Sequence, residues 1–259
     1  VCVHAEGDGS RHDREGLVSL CLFVDGEAPV YLPVAHRYLG APAAMSPELL
    51  APVAALLADP DVAVVCFGSK TLRELLRRSE MELDGVTMDV MLAAYLLDPS
   101  VDGKDAASCL NQVLGSAIAE RTSITGKGKK AVSWEQVDVA QAVQYAGPLA
   151  AALWRASAVL EKALEDEGML GLLRDLEIPL ARVLADIESR GITLDQQVLQ
   201  ELRDEVGGRI AEIENQVFEL AGGAFNLGSP KQLSKVLFET LGLTSEVMKK
   251  TKTGYSTAA

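Results

Sequence analysis

The sequence has few histidines and cysteines, the side chains on which zinc sites and disulfide-stabilised scaffolds depend. It contains three histidines and four cysteines among 259 residues, and no two cysteines have the spacing of a zinc motif. A small secreted disulfide domain and a structural zinc module are therefore not expected. We expect instead reduced, buried thiols in a cytoplasmic protein. The cysteines are Cys2, Cys21, Cys66 and Cys109.

Long apolar runs and a basic charge balance are also missing. No apolar run reaches the ~18 residues that indicate a membrane-spanning helix, so no membrane partner is expected. Lys+Arg totals 24 and Asp+Glu totals 37, giving a formal charge of -13. That balance argues against a general nucleic-acid binder. The hydrophobic content of 48% is enough for one large folded domain or two smaller ones.

One region departs from the acidic character of the chain. Residues 226–259 contain five lysines and two glutamates, a charge of +3, which leaves -16 for the remainder. A short basic segment on an acidic body indicates an interaction site at the basic end.

The first part of the sequence alternates segments typical of strands and helices. This alternation predicts an α/β domain, a mixed sheet flanked by helices. Ser46 and Asp89 are predicted helix N-caps. Residues 101–135 are polar and predicted irregular, with an exposed basic loop at 126–133, and Gly147–Pro148 should kink the long helix predicted at 137–166 or start a new turn. The predicted strands are 1–4, 17–24, 28–34 and 62–66, and the predicted helices are 46–58, 70–78 and 89–97.

The last part of the sequence predicts an all-α region. A helix is predicted at 174–192, and a second begins after Asp195. The second carries an apolar seam with coiled-coil-like spacing, weakened in its middle by Gly207–Gly208. A third helix begins at Ser229, which forms an S-x-x-Q capping box with Gln232. The seam residues are Leu199, Leu202, Val206, Ile210, Ile213, Val217 and Leu220.

Two stretches of this all-α region carry a family resemblance. FNLGSPKQLSKVLFETLGL (225–243) and KKTKTGYSTAA (249–259) closely resemble the thumb of the bacterial DNA polymerase I family, the family A DNA polymerases. IPLARVLADIESRGITLD (178–195) is similar to the segment that enters that thumb. The resemblance implies a DNA-directed DNA polymerase, a nucleotidyltransferase of DNA replication and repair.

The front of the chain resembles the 3′–5′ exonuclease domain of the same family. YLPVAHRYLGAP (31–42) and GVTMDVMLAAYLLDP (85–99) are similar to stretches of that domain. The resemblance implies a ribonuclease-H-like exonuclease domain over 1–168 and the start of the polymerase domain, an incomplete thumb, over 169–259. Because the chain lacks an initial methionine and stops just after a turn, we expect a fragment of a longer protein.

The resemblance also implies partners. We expect a monomer that binds duplex primer–template DNA, with no cofactor in the fragment itself. Magnesium and deoxynucleotides are expected only for the full polymerase, whose palm and fingers would lie beyond residue 259. The DNA-contacting residues implied by the thumb motifs are Asn226, Ser229, Lys231, Gln232, Lys249, Lys250, Lys252, Ser256 and Thr257.

The exonuclease motifs, by contrast, lack most of the metal-binding carboxylates of the family. The family holds two divalent metals with four carboxylates and a tyrosine, and the metals activate water and stabilise the leaving oxygen. Only a glutamate and the tyrosine remain here, and we expect no catalytic residue and no metal in the fragment. The positions that match the motifs are His4, Glu6, Leu72, Tyr145 and Leu149.

Three alternatives stay open. Glu74 and Asp8 could shift into the vacated positions and keep a proofreading exonuclease active. His4 and Glu6 could hold zinc or manganese. The chain could also be a protein-interaction module in which the predicted helical hairpin, formed by the helix at 174–192 and the helix after Asp195, recruits a partner.

Overall fold

A five-stranded mixed sheet forms the centre of the first of two compact units, Val1–Gly191. The computed structural model describes residues 1–9, 15–101, 103 and 105–243, and the backbone of 250–251 and 254–255. Strand order is β3-β2-β1-β4-β5, with β1 and β2 antiparallel, β2 and β3 antiparallel, and β4 parallel to both β1 and β5. The strands are β1 (Cys2–Gly7), β2 (Leu17–Phe23), β3 (Val30–Pro33), β4 (Val64–Cys66) and β5 (Val86–Asp89).

Helices cover both faces of this sheet. They are α1 (Pro47–Ala58), α2 (Ser69–Arg77), α3 (Val90–Leu97), α4 (Ala106–Leu114), the short α5 (Thr122–Thr125), α6 (Val139–Asp166), α7 (Leu170–Leu172) and α8 (Ile178–Arg190). Short 3-10 turns at Gly128–Lys130 and Trp134–Gln136 precede α6, and a π-helical turn, Leu173–Glu177, leads into α8. The α/β expectation is confirmed.

Two hydrophobic cores lie on opposite faces of the sheet, because neighbouring side chains in a strand point to opposite sides. In β1, Cys2 packs into the core built with α3, α4 and α6, whereas Val3 packs into the core built with α1 and α2. All four cysteines are buried, and none of them forms a disulfide. Burial raises the pKa of Cys2 to about 12 and that of Cys21 to about 11, so both thiols stay protonated.

Several local predictions were wrong. β1 continues to Gly7 rather than ending at His4, and β5 was not predicted at all. Helix α4 occupies part of the stretch predicted to be irregular. No new helix starts at Gly147–Pro148, because α6 continues through both residues; burial of the flanking side chains outweighs the hydrogen bond that proline removes.

Asp89 is an N-cap, as predicted, and it also holds a second helix. Its carboxylate accepts hydrogen bonds from Met91 N and Leu92 N at the start of α3. It also accepts from Gly68 N at 2.9 Å and Ser69 N at 2.6 Å, at the start of α2. One fully buried carboxylate therefore fixes the beginnings of two helices.

Helix α8 packs along α2, so the predicted boundary at 168/169 lies inside the first compact unit. Ala181 and Ala185 are buried on α8 and allow close approach. Three ion pairs tie α8 to the rest of the unit: Lys70–Glu188, Arg77–Asp186 and Arg182–Asp84.

The second unit, Ile192–Ala259, is helical over most of its described part. Its first helix, α9 (Gln196–Ala221), is capped by Asp195 as predicted, and Gly207–Gly208 do not interrupt it. No residue of α9 is buried. The unit continues with α10 (Pro230–Lys235), a π-helical turn (Val236–Thr240) and a two-stranded ribbon of β6 (Lys250–Thr251) and β7 (Gly254–Tyr255).

No helix in the described ranges combines the length and apolar character needed to cross a membrane.

Candidate functional site

A cavity of about 250 Å³ lies where β1, the start of α2 and the N-terminal part of α6 meet. It gathers four of the five positions that match the exonuclease motifs, His4, Glu6, Leu72 and Tyr145. The fifth, Leu149, is fully buried in the core beside α6 and does not line the cavity. The other lining residues are Val3, Ala5, Phe67, Gly68, Thr71, Leu75, Met91, Gly103, Asp105, Ala106 and Arg121.

Strand β1 supplies the two polar groups at the base of the cavity. His4 and Glu6 are two residues apart, so they share one face of the strand. His4 Nε2 lies 3.1 Å from Glu6 Oε1, and the imidazole therefore donates to the carboxylate. One oxygen of the only remaining motif carboxylate is occupied by this bond.

Arg121 occupies the other oxygen of Glu6. Its Nε lies 2.7 Å from Glu6 Oε2, and its side chain also reaches the Gly7 carbonyl at 3.4 Å. The guanidinium lies over the Trp134 ring, 5.4 Å from the centroid, a cation–π geometry. Sequence reasoning missed Arg121, because it lies in a stretch predicted to be irregular and meets Glu6 only through tertiary folding.

Tyr145 closes one side of the cavity from α6. Its ring packs edge-on against Trp134, at 5.4 Å between centroids, and against His4, at 6.3 Å. Burial, followed by the nearby Glu6 charge, raises the pKa of the Tyr145 phenol well above its ordinary value. The phenol therefore stays neutral.

The donor set of the cavity does not fit a pair of divalent metals. Magnesium prefers hard oxygen ligands, and the second and third motif positions are Leu72 and Leu149, which offer none. Glu6 already faces a guanidinium and an imidazole. Within the residues described, no group of three or more His, Cys, Asp or Glu side chains is placed to hold a metal ion.

The structure does not bring the two candidate replacement carboxylates to the cavity. Glu74 is buried on α2, and Asp8 follows β1, but neither is among the described residues that line the cavity.

The remaining histidines do not add a ligand to Glu6. His36 is buried, donates from Nδ1 to the Val137 carbonyl at 3.0 Å, and accepts at Nε2 from the Tyr31 hydroxyl at 2.8 Å. His12 lies outside the described residues.

In the second unit, two of the predicted DNA-contacting residues, Asn226 and Ser229, lie in the turn that precedes α10. Asn226 Oδ1 accepts from Gly228 N at 2.9 Å, and Ser229 Oγ accepts from Gln232 N. The predicted capping box is only half formed, because Gln232 Oε1 accepts from Asn226 N instead of the Ser229 N–H. The side chains of Asn226, Lys231 and Gln232 are exposed, so the turn and the start of α10 present amide and ammonium groups to solvent.

Of the remaining predicted DNA-contacting residues, only the backbone of Lys250 is described. Lys249, Lys252, Ser256 and Thr257 lie outside the described residues. The backbone of Lys250 pairs with that of Tyr255 in the β6–β7 ribbon.

Comparison with known proteins places both units in one class. Residues 36–147 match the family model "DNA polymerase I, ribonuclease H-like domain", and residues 196–259 match "DNA polymerase family A". The first unit is therefore a ribonuclease-H-like, exonuclease-type domain, and the second matches the polymerase domain.

Individual relatives agree with these matches. The chain is 39% identical over 194 residues to DNA polymerase I of Bacillus subtilis, covering 74% of this chain and 21% of that protein. It is 36% identical over 239 residues to DNA polymerase I of Pseudomonas aeruginosa, covering 91% of this chain and 26% of that protein. Among solved structures it resembles the POL domain of Pol1 from M. smegmatis in complex with DNA primer-template and dNTP, with TM-score 0.71, 28% identity, and coverage of 99% of this chain and 40% of that one.

The chain belongs to the bacterial DNA polymerase I family, the family A DNA polymerases. It spans about a fifth to a quarter of the length of these two curated relatives.

Proposed function

We propose that this chain is the part of a DNA-directed DNA polymerase in which an exonuclease-like domain supports the fold without cutting DNA, and a thumb segment binds primer–template duplex. Nucleotidyl transfer, with magnesium and deoxynucleotides, is proposed for the whole polymerase, acting as a monomer in replication and repair. One observation carries the nuclease part of the proposal: the single motif carboxylate, Glu6, is paired with Arg121 and His4.

The case against cleavage rests on charge. Two-metal hydrolysis needs several carboxylates around two cations about 4 Å apart. At the motif positions Leu72 and Leu149 replace two of them, and a cationic guanidinium lies against Glu6, the one remaining motif carboxylate. A divalent cation would have to displace that guanidinium before it could reach Glu6.

The case for duplex binding rests on exposed polar groups in a locally basic segment. Lys231 and Lys235 are exposed on α10, and three further lysines follow at 249, 250 and 252. Such groups bind phosphates irrespective of sequence. The similar M. smegmatis Pol1 structure contains primer-template DNA, which supports the same role here.

A nuclease assay tests the first part. The 259-residue chain, incubated with a 3′-labelled single strand and Mg²⁺ or Mn²⁺, should leave the strand intact. The variant Glu6→Ala serves as the matched preparation. Trimming from the 3′ end that Glu6→Ala abolishes would favour the active-exonuclease alternative instead.

A salt-dependence measurement tests the second part. Fluorescence anisotropy with a labelled primer–template hairpin should show a steep fall in affinity with salt. Replacing Lys249, Lys250 and Lys252 together by Gln should weaken binding and reduce the slope of log K against log salt by about 3, since each phosphate that a lysine no longer neutralises lowers the slope by about one unit.

The chain offers a matched control for that variant. Lys127, Lys129 and Lys130 also form a basic run on the first unit, and replacing them by Gln makes the same change in net charge. This control should leave affinity and slope unchanged. Equal decreases in affinity for both triple variants would mean that binding responds only to overall charge.

The interaction-module alternative is favoured by one observation. The apolar seam of α9 is exposed, with Leu199, Leu202 and Ile210 each about half accessible. This second candidate would be supported if the affinity for duplex DNA did not change with ionic strength and was retained when Lys249, Lys250 and Lys252 were replaced.

A further inference from the structure

The ion pair in the exonuclease-like cavity is built from an enclosed carboxylate and a partly accessible guanidinium. The Glu6 side chain is 9% exposed and that of Arg121 is 34% exposed. A carboxylate this enclosed is costly unless a cation and hydrogen bonds compensate for its lost hydration. Within the described residues, Arg121 is the one arginine or lysine whose side chain pairs with Glu6, and His4 is the other partner of that carboxylate.

Arg121 is held in place independently of Glu6. Its own carbonyl accepts from Ile124 N and Thr125 N at 3.1 Å each, which fixes its backbone at the start of α5. Its guanidinium rests over Trp134. The Trp134 indole is in turn fixed by a 3.0 Å hydrogen bond to Ser19 on β2. The cation is therefore positioned by the surrounding fold rather than drawn in from solvent.

We propose that Arg121 is a built-in counter-ion that replaces divalent cations in this cavity: it balances the charge of Glu6 for the fold and keeps metal ions from that carboxylate. The inference rests on the proposed absence of nuclease chemistry, but its consequences appear in folding and in metal binding rather than in cleavage. It explains how the domain keeps its architecture with a donor set that does not suit a metal pair.

Thermal unfolding of the 259-residue chain tests the charge-balancing role. Arg121→Gln should lower the unfolding midpoint by about 5 °C, because it leaves the largely enclosed Glu6 carboxylate without its cationic partner. Arg37→Gln is the control, since Arg37 is 77% exposed and pairs with Glu135 at 3.7 Å. That control should shift the midpoint by about 1 °C or less.

A double-mutant cycle separates pairing from packing. Adding Glu6→Gln to Arg121→Gln should restore at least half of the decrease in midpoint, because neither charge then remains uncompensated. A midpoint for Arg121→Gln no lower than that of Arg37→Gln, or a double variant without any recovery, would overturn the charge-balancing role.

Manganese binding tests the exclusion of metal. His4→Asp places a second carboxylate beside Glu6, and the comparison is between this variant with Arg121 and the same variant carrying Arg121→Gln. A rise in unfolding midpoint with MnCl₂ is expected only when Arg121 is absent, since ligand binding to the native state raises apparent stability. Equal responses in the two variants, whether both bind or neither does, would contradict exclusion by Arg121.

These readouts are independent of the proposed function. Trimming by the wild-type chain would refute the absence of nuclease chemistry, whereas the unfolding and manganese measurements decide the role of Arg121 by themselves.

Discussion

Two long helices, one in each unit, show how differently the two parts of the molecule use similar apolar sequence. Helix α6 has 28 residues, of which 12 are buried, and it packs against all five strands of the central sheet. Helix α9 has 26 residues and a regular apolar seam, yet none of its residues is buried. Periodicity reports that a helix has an apolar face, but only the fold decides whether that face is covered.

The same contrast applies to the polar groups. In the first unit the remaining motif groups, Glu6 and Tyr145, are enclosed and engaged by their neighbours. In the second unit Asn226, Lys231 and Gln232 are exposed. The motif groups of the first unit are therefore held by neighbouring side chains, whereas the predicted DNA-contacting groups of the second unit face solvent.

Matched leucine truncations should produce the largest difference between the units. Leu153→Ala in α6 removes a fully buried side chain and should cost about 2–5 kcal/mol. Leu202→Ala in α9 removes a side chain that is 54% exposed and should change stability by no more than about 0.5 kcal/mol. Alanine and leucine have similar helix propensity, so the contrast isolates burial.

The two units can be followed separately in that experiment. Both tryptophans, Trp134 and Trp154, lie in the first unit, so their fluorescence in urea reports its unfolding, while far-UV circular dichroism reports the unfolding of helices throughout. Equal costs for the two truncations would show that α9 is covered in solution and would remove the contrast.

The two aspartate N-caps should give a smaller difference of the same sign. Asp89→Ala leaves four backbone N–H groups at the starts of α2 and α3 without their acceptor, in a buried site, and should cost about 3 kcal/mol. Asp195→Ala removes an exposed cap from α9 and should cost about 1 kcal/mol. Urea midpoints of both variants measure the difference, and a ratio near one would mean that the bonds to α2 add nothing.

Asp89 also shows how much of the fold the sequence could predict. Its place before an apolar run was enough to predict a helix N-cap, because capping depends on a residue and its next three neighbours. Its bonds to Gly68 and Ser69 could not be predicted, since they cross about 20 positions of chain and arise only when β4 and β5 pair.

The candidate site divides in the same way. The resemblance supplied His4, Glu6, Leu72 and Tyr145, and folding brings these four to one cavity. Arg121 carried no local signal, because a lone arginine in a polar stretch resembles any surface arginine. The role proposed for Arg121 depends on Glu6, which is 115 residues away in the sequence.

Acidification should produce the smallest effect, and we expect it to act through His36 of the first unit, since residues 192–259 contain no histidine. Burial lowers the pKa of His36 below its ordinary value of 6.5, outweighing the Val137 carbonyl and Asp138, which raise it. As the pH falls through 6.5, the unfolded chain gains a proton at this position before the folded chain does, so the folded state loses stability until the lower, folded pKa is reached.

Protonation would also remove the acceptor that Nε2 offers the Tyr31 hydroxyl. In the wild type, the urea midpoint measured by tryptophan fluorescence should therefore decrease as the pH is lowered from about 7.5 to about 5.5. In His36→Asn the midpoint should decrease less over the same pH range, after the pH-independent cost of the substitution is subtracted. Parallel declines in the two proteins would assign the acid sensitivity to other groups and would leave His36 as a packing residue only.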